Sequence, residues 1–155
     1  MLKTFYSSLK LKKDFNIICF GSSPFNNEEV TKISKYGLTE IVQHVTGDDQ
    51  KLSNLYSSAS CHIITSKYEG FGMTAIEAYN FGCPVIHTGK GSLIEIADIN
   101  GRYDGSCENL KNLLEKFLYS NQDKEHMIQT ANKIKEKFTW KNCFNDTYNV
   151  YKKFL

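Results

Sequence analysis

Apolar residues follow two alternating periods along this chain. Short apolar runs rich in β-branched residues predict buried strands at 15–20, 41–46, 61–66 and 85–87, with a last short strand expected at 102–103. Between and after the strands, apolar residues recur at helical spacing. This spacing predicts helices at 1–13, from Asn26 or Asn27 to Tyr36, around Leu52 and Tyr56, and at 73–81, 110–118, 127–138 and 140–154. The alternation predicts an α/β fold with a mostly parallel sheet and helices on both of its faces.

Local signals set the expected ends of several helices. In the first helix, Leu2, Phe5, Tyr6 and Leu9 are expected to share the face that packs on the sheet. Glycine ends the second helix at Gly37 and the helix at 73–81 at Gly82, where Pro84 follows two residues later.

The stretch at 61–88 organises the rest of the chain. It reads as strand, loop, helix and strand, which is a βαβ unit, and its loop at 66–72 ends in Gly70-Phe71-Gly72. The two glycines allow the backbone to approach a ligand closely. The loop follows a strand, and open α/β sheets bind ligands at the carboxyl ends of their strands.

Three features of this stretch indicate a site for a sugar nucleotide. Free N–H groups at the start of the helix at 73–81 favour phosphate. Glu69 precedes the glycines, so its carboxylate can reach the same space. Glu77 lies on the second turn of the helix, where a carboxylate can accept hydrogen bonds from the vicinal hydroxyls of a ribose.

The order of these residues resembles the signature of the glycogen-synthase-like retaining glycosyltransferases, the glycosyl transferases of group 1. The matching residues are Glu69-Gly70-Phe71-Gly72, then Glu77-Ala78, then Gly82-Cys83-Pro84-Val85-Ile86. The two glutamates have the seven-residue separation of that family, and the resemblance extends over nearly the whole chain. It implies a Rossmann-like, three-layer domain that forms the C-terminal half of a GT-B enzyme, and a hexosyltransferase activity of the kind used in polysaccharide biosynthesis.

The resemblance also implies roles for individual residues. Glu69, as the catalytic residue, Phe71 and Gly72 would contact the donor sugar, and Glu77 would hold the ribose. The remaining donor-binding positions would be Gly70, Met73 and Thr74 in the loop and helix start, and Thr46, Gly47 and Leu52 around the nucleotide base. Core packing is the alternative role for Leu52. A second small-residue turn at 88–95 ends in Glu95 and is expected at the same edge of the sheet.

Parts of the family pattern are missing from these 155 residues. The full enzymes have a separate N-terminal acceptor domain, and an arginine–lysine pair on the first strand and helix of the donor domain. No such pair matches here, and the first strand of the donor domain is expected to be absent. We therefore expect a single nucleotide-sugar-binding domain at 1–155, inactive without its N-terminal half, that comes from a truncated enzyme or is one subunit of a split enzyme.

The same residues are compatible with other functions. A nucleotide-sugar-binding or regulatory subunit without activity, and a nucleotide-sugar isomerase of the same fold, both fit the resemblance. Gly70-x-Gly72-x-x-Ala75 also fits a dinucleotide fingerprint. That reading requires an acidic residue about twenty positions on, where the chain has His87-Thr88-Gly89-Lys90.

Composition indicates which ligands and which cellular compartment to expect. The chain is 41% hydrophobic and 23% charged, and its net charge of +2 gives no argument for nucleic acid. Its apolar runs are too short to span a membrane, and five scattered cysteines suggest a reducing cytoplasm, with peripheral attachment to the inner membrane face allowed in the full enzyme. No metal is expected, since the chain has no Asp-x-Asp pair and His62 and His87 are predicted to be packed strand residues. Expected partners are a nucleotide sugar, the missing half or a partner subunit, and a glycan or lipid-linked acceptor.

Overall fold

The computed structural model describes residues 1–154 as an α/β domain. Its strands are β1 (Ile17–Phe20), β2 (Val42–Val45), β3 (His62–Ile64) and β4 (Val85–His87). Its helices are α1 (Leu2–Tyr6), α2 (Leu9–Asp14), α3 (Asn27–Lys35), α4 (Asp49–Ser58), α5 (Met73–Asn80), α6 (Leu93–Ile96), α7 (Cys107–Tyr119), α8 (Asn121–Lys137) and α9 (Trp140–Lys152), with a 3-10 turn at Ile99–Gly101. The predicted alternation of four strands with helices is confirmed.

The strands pair in parallel, as predicted, but in two separate ladders. β1 pairs with β2 in the register Ile17 to Val42, and β3 pairs with β4 in the register His62 to Val85. Within residues 1–154, no ladder joins β1 to β3. The strand expected at 102–103 is reduced to one parallel bridge between His87 and Arg102.

The N-terminal segment differs from its prediction. Two short helices replace the single helix expected at 1–13, because the Ser8 side chain accepts a hydrogen bond from the Leu11 N–H at 3.2 Å and starts a new helix. The break changes which side chains are buried. Phe5 and Leu11 are buried, whereas Tyr6 and Leu9 are 56% and 84% exposed, so the predicted shared face is wrong.

Other local signals act as the sequence suggests. Asn26 caps α3 by accepting a hydrogen bond from the Glu29 N–H, and the Glu29 carboxylate accepts one from the Asn26 N–H. Asp48 caps α4. Gly82 ends α5 in a left-handed conformation with φ of 71°.

The core has two parts, one on each side of the sheet. The first part packs α1, α2 and α7 against the strands, and the second packs α4, α5 and α6. Strand β4 supplies both, since Ile86 belongs to the first part and Val85 to the second. Because successive side chains of a strand point to opposite faces of the sheet, Val85 and Ile86 pack in different parts of the core, and the sheet lies as the middle of three layers between helices. Outside this core lies α9, which has no buried residue.

Candidate functional site: a glycine-rich loop beside a cavity

The loop between β3 and α5 is held by a glycine at its end. Gly72 precedes α5 with φ of 84°, and a Cβ atom there would lie 2.6 Å from Ile96 Cδ1. A larger residue would therefore be strained and would collide with α6. Gly70 has open space around it, so its small size leaves room at the surface of the loop.

A second glycine-rich turn, at 88–92, fixes the backbone at Glu69. The Ser92 N–H and Oγ both donate to the Glu69 carbonyl oxygen, at 3.1 and 3.2 Å. Gly91 has φ of 65°, and a Cβ atom there would collide with the same carbonyl group. Thr88 Oγ1 donates to the Ser66 carbonyl at 2.9 Å. The turn predicted at 88–95 therefore lies against the Glu69 loop, at the same edge of the sheet.

Buried hydrogen bonds that involve His87, Asp98 and Tyr79 hold the second turn in place. His87 Nδ1 accepts from the Gly89 N–H at 3.0 Å, and Nε2 lies 2.8 Å from the Asp98 carbonyl oxygen. The ring is therefore neutral with its proton on Nε2, and burial lowers its pKa. The Tyr79 hydroxyl accepts from the Asp98 N–H at 3.0 Å. These contacts agree with the prediction that His87 is a packed strand residue.

The side chains of the loop are unequally exposed. Glu69 is half-buried, whereas Phe71 and Met73 are 54% and 53% exposed. Apolar side chains of this size at a loop surface are available for contact with a ligand or another domain.

A cavity of about 580 Å³ is lined in part by α5, the helix that follows the loop. Among the predicted site residues, it brings together Leu52 from α4 and Thr74 and Glu77 from α5. The others do not line it: Glu69, Gly70, Phe71, Gly72 and Met73 lie in the loop and helix start, and Thr46 and Gly47 lie before α4. A cavity of this size is in the range that binds small organic ligands.

Two residues of the cavity were not predicted as functional. Burial raises the pKa of Tyr56 to about 12, and the charge of the nearby Glu77 carboxylate and a hydrogen bond to it act in the same direction. His62 packs edge-on against Tyr56 with ring centroids 5.4 Å apart, and burial lowers its pKa to about 4. Helical spacing places Tyr56 on the same face of α4 as Leu52, but this spacing gives no sign that the Tyr56 hydroxyl lies beside the Glu77 carboxylate.

The nucleotide-base positions predicted by resemblance lie just before α4 and within its first residues. Thr46 and Gly47 are exposed, and Leu52 is half-buried. Asp48, between them, accepts a hydrogen bond from the Lys51 N–H at 2.9 Å. This cap fixes the entry of the chain into α4 and so the direction of Leu52 toward the cavity.

Two kinds of functional feature are absent from residues 1–154. Residues 1–154 contain no cluster of three or more His, Cys, Asp or Glu side chains that could hold a metal ion. No helix in this part of the chain is both long and apolar enough to cross a bilayer.

Known proteins are similar to this chain in both sequence and fold. Residues 1–134 match the family described as glycosyl transferases group 1. An uncharacterized glycosyltransferase of Methanocaldococcus jannaschii is 35% identical over 113 residues, which is 70% of this chain and 28% of that protein. The chain thus spans little more than a quarter of that relative's length.

Two solved structures have the same fold. The C-terminal domain of a glycosyl transferase group 1 family protein from Francisella tularensis superposes with a TM-score of 0.72 at 22% identity, over 86% of this chain and 74% of that one. The Anabaena protein HepE, crystallised with UDP and glucose, gives a TM-score of 0.76 at 21% identity, over 90% of this chain and 41% of that one. With the group 1 match over residues 1–134, the chain belongs to the glycosyl transferases group 1 family and has the fold of the C-terminal half of a GT-B glycosyltransferase.

Proposed function

We propose that the chain is the donor-binding domain of a retaining glycosyltransferase, which transfers a sugar from a UDP- or GDP-sugar to a glycan or lipid-linked acceptor. The observation that carries the proposal is the position of Glu77, which lines the same cavity as Leu52 and Thr74 and has Tyr56 as a neighbour. An apolar side chain for a base and a carboxylate for a ribose then line one space. A neighbour of the same fold was crystallised with UDP and glucose.

The diphosphate of the donor would bind at the start of α5. The first helical hydrogen bonds join the Ala75 and Ile76 N–H groups to the Gly72 carbonyl, which leaves the N–H groups of Met73 and Thr74 without helical acceptors. Free N–H groups and the helix dipole favour an anion there. Since Glu77 is one turn further along α5, ribose and diphosphate would lie along the same helix.

The sugar would then lie against the Glu69 loop. Two donors from Ser92 fix the Glu69 backbone, so the carboxylate starts from a defined position. A group held in place before the reaction lowers the barrier by orienting the substrate. We assign Glu69 to contact with the sugar, and Phe71 and Gly72 to the wall beside it.

Transfer also needs positive charge on the leaving diphosphate. The family's arginine–lysine pair has no match in this sequence. We therefore propose that the chain works with an N-terminal half or a partner subunit that supplies the acceptor site, and that the isolated chain binds the donor without transferring sugar.

The two glutamates give the proposal a direct test. Glu77→Ala should weaken binding of both the nucleoside diphosphate and the nucleotide sugar about 5- to 150-fold, since lost hydrogen bonds in a partly buried site cost about 1–3 kcal/mol. Glu69→Ala should leave the affinity for nucleoside diphosphate unchanged and reduce only the additional affinity that the sugar gives to the nucleotide sugar. Titration calorimetry measures both, with Glu125→Ala on the exposed face of α8 as the control.

The result also separates the alternative functions. If Glu69→Ala has no effect on nucleotide-sugar binding or on turnover with the other half present, the chain is better described as a nucleotide-binding subunit. If Glu69→Ala loses nucleoside diphosphate while Glu77→Ala keeps it, the assignment of the two carboxylates is wrong.

A further inference from the structure

Tyr56 lies where α4, α5 and β3 meet, beside Glu77. Its side chain is 8% exposed and lines the same cavity as Glu77. The ring packs edge-on against His62 of β3, with centroids 5.4 Å apart and an interplanar angle of 89°. It also stacks on Phe81, at the end of α5, with centroids 6.3 Å apart and an angle of 11°. Two rings from different elements therefore hold the Tyr56 ring in one orientation.

The stack on Phe81 places Tyr56 over the face of α5 that carries Glu77. Glu77 and Phe81 are four residues apart, so their side chains are neighbours on the helix surface. The hydroxyl of a buried tyrosine normally has a hydrogen-bond partner, and here that partner is the Glu77 carboxylate. The pKa of Tyr56 is raised to about 12, by burial first and further by the charge of Glu77 and a hydrogen bond to it.

Glu77 needs such a contact to have a defined direction. Its side chain is half-buried, and no salt bridge among residues 1–154 involves it. A free glutamate side chain samples several rotamers, and restricting it to one of them on ligand binding lowers the affinity. A hydrogen bond that already selects the rotamer in the free protein reduces this loss.

We propose that Tyr56 is a positioning residue for the nucleotide site, whose hydroxyl donates to one oxygen of the Glu77 carboxylate and leaves the other oxygen to accept from the ribose hydroxyls. An ionised carboxylate accepts about four hydrogen bonds through its two oxygens, so the contact with Tyr56 does not block the ribose. The inference rests on the proposed function, in which Glu77 binds the ribose, and adds how the direction of that carboxylate is set.

Core packing alone is the competing explanation for Tyr56, and the two explanations predict different losses. Tyr56→Phe keeps the ring between His62 and Phe81 and removes only the hydroxyl. If the hydroxyl positions Glu77, the variant should weaken only those ligands that carry ribose hydroxyls. If Tyr56 only fills the core, any loss should be equal for ligands with and without these hydroxyls.

Titration calorimetry on the full chain separates the two explanations. The probes are UDP and GDP, each compared with its 2′,3′-dideoxy analogue, and the variants are Tyr56→Phe, Glu77→Ala and the double variant. Tyr103→Phe is the matched control, because Tyr103 is also buried, at 4% exposure, but belongs to the first part of the core, on the other side of the sheet. Urea unfolding measures the stability of each variant.

We expect Tyr56→Phe to weaken binding of UDP or GDP about 2- to 10-fold, the effect of releasing one side chain that the ligand must then immobilise. Binding of the dideoxy analogues should not change, and Tyr103→Phe should affect neither kind of ligand. The double variant should bind as weakly as Glu77→Ala alone, because a residue that acts through Glu77 has no effect once Glu77 is removed.

Three results would overturn the inference and leave the proposed function standing, provided that Glu77→Ala alone weakens binding. They are an equal loss for ribose and dideoxy ligands in Tyr56→Phe, no loss for either ligand, and additive losses in the double variant. If Glu77→Ala binds UDP and GDP as the unchanged chain does, the ribose role of Glu77 is wrong and the inference fails with it.

Discussion

Gly91→Ala should lower the free energy of unfolding by more than the conformational cost of an alanine with positive φ, because it also displaces the Glu69 loop. Gly91 has φ of 65°, where an L-residue costs about 1–2 kcal/mol. Its new Cβ would also collide with the Glu69 carbonyl group, so the hydrogen bonds from Ser92 at 3.1 and 3.2 Å would lengthen or break. One lost hydrogen bond adds about 1 kcal/mol.

A matched control separates the two costs. Gly105 also has a positive φ, of 93°, but a Cβ there would have nothing within 4 Å. Gly105→Ala should therefore cost about 1–2 kcal/mol from conformation alone. Gly91→Ala should cost about 2–4 kcal/mol, which corresponds to roughly 4–16 °C in the melting temperature of a domain of this size.

Urea unfolding of the two variants measures the difference, and calorimetry shows its consequence for binding. Gly91→Ala should also weaken nucleotide-sugar binding relative to nucleoside diphosphate, because it moves the backbone of Glu69. Equal losses of stability in Gly91→Ala and Gly105→Ala, with equal binding, would refute the argument that the second turn positions Glu69.

Three further outcomes are expected. His62 stays neutral in the folded chain down to its pKa of about 4, whereas this histidine takes up a proton near pH 6.5 in the unfolded chain. The free energy of unfolding should therefore fall by on the order of 3 kcal/mol as the pH drops between these values. In urea titrations at several pH values, His62→Phe should remove this pH dependence, and His126→Gln, at an exposed site, should keep it. Tyr79→Phe should cost about 1–3 kcal/mol by leaving the buried Asp98 N–H unpaired, and Tyr148→Phe on the exposed helix α9 should be neutral in the same thermal assay. Nucleotide binding should be unchanged by EDTA, and a large loss of affinity on chelation would show that a metal takes part.

The sequence predicted those parts of the fold that depend on local signals. The start of α3 at Asn26 and the end of α5 at Gly82 follow from the chemistry of single residues, and the structure confirms them, whereas the cap at Asp48 was not predicted. The break at Ser8 was missed, because a serine inside an amphipathic pattern can be a surface residue or a cap, and only its burial decides between them.

Distances between elements could not be predicted in the same way. The motif indicated that the loop at 66–72 and the turn at 88–95 share an edge of the sheet, but not that Ser92 donates to the Glu69 carbonyl. The pairing of Tyr56 with Glu77 depends on how α4 packs against α5. The gap between β1 and β3 depends on which strands pair, a property of the whole sheet that strand periodicity does not contain.

The central claim, that this chain binds a nucleotide sugar as a donor, is tested most directly by thermal unfolding with a panel of UDP-sugars, GDP-sugars and NAD. The panel is run on the chain alone. A ligand at a hundred times its dissociation constant stabilises the folded state by about 2.7 kcal/mol, or roughly 5–11 °C here. We predict a shift of this size with at least one nucleotide sugar, reduced by Glu77→Ala, and none with NAD. A shift with NAD alone, or no shift with any nucleotide sugar, would contradict the claim.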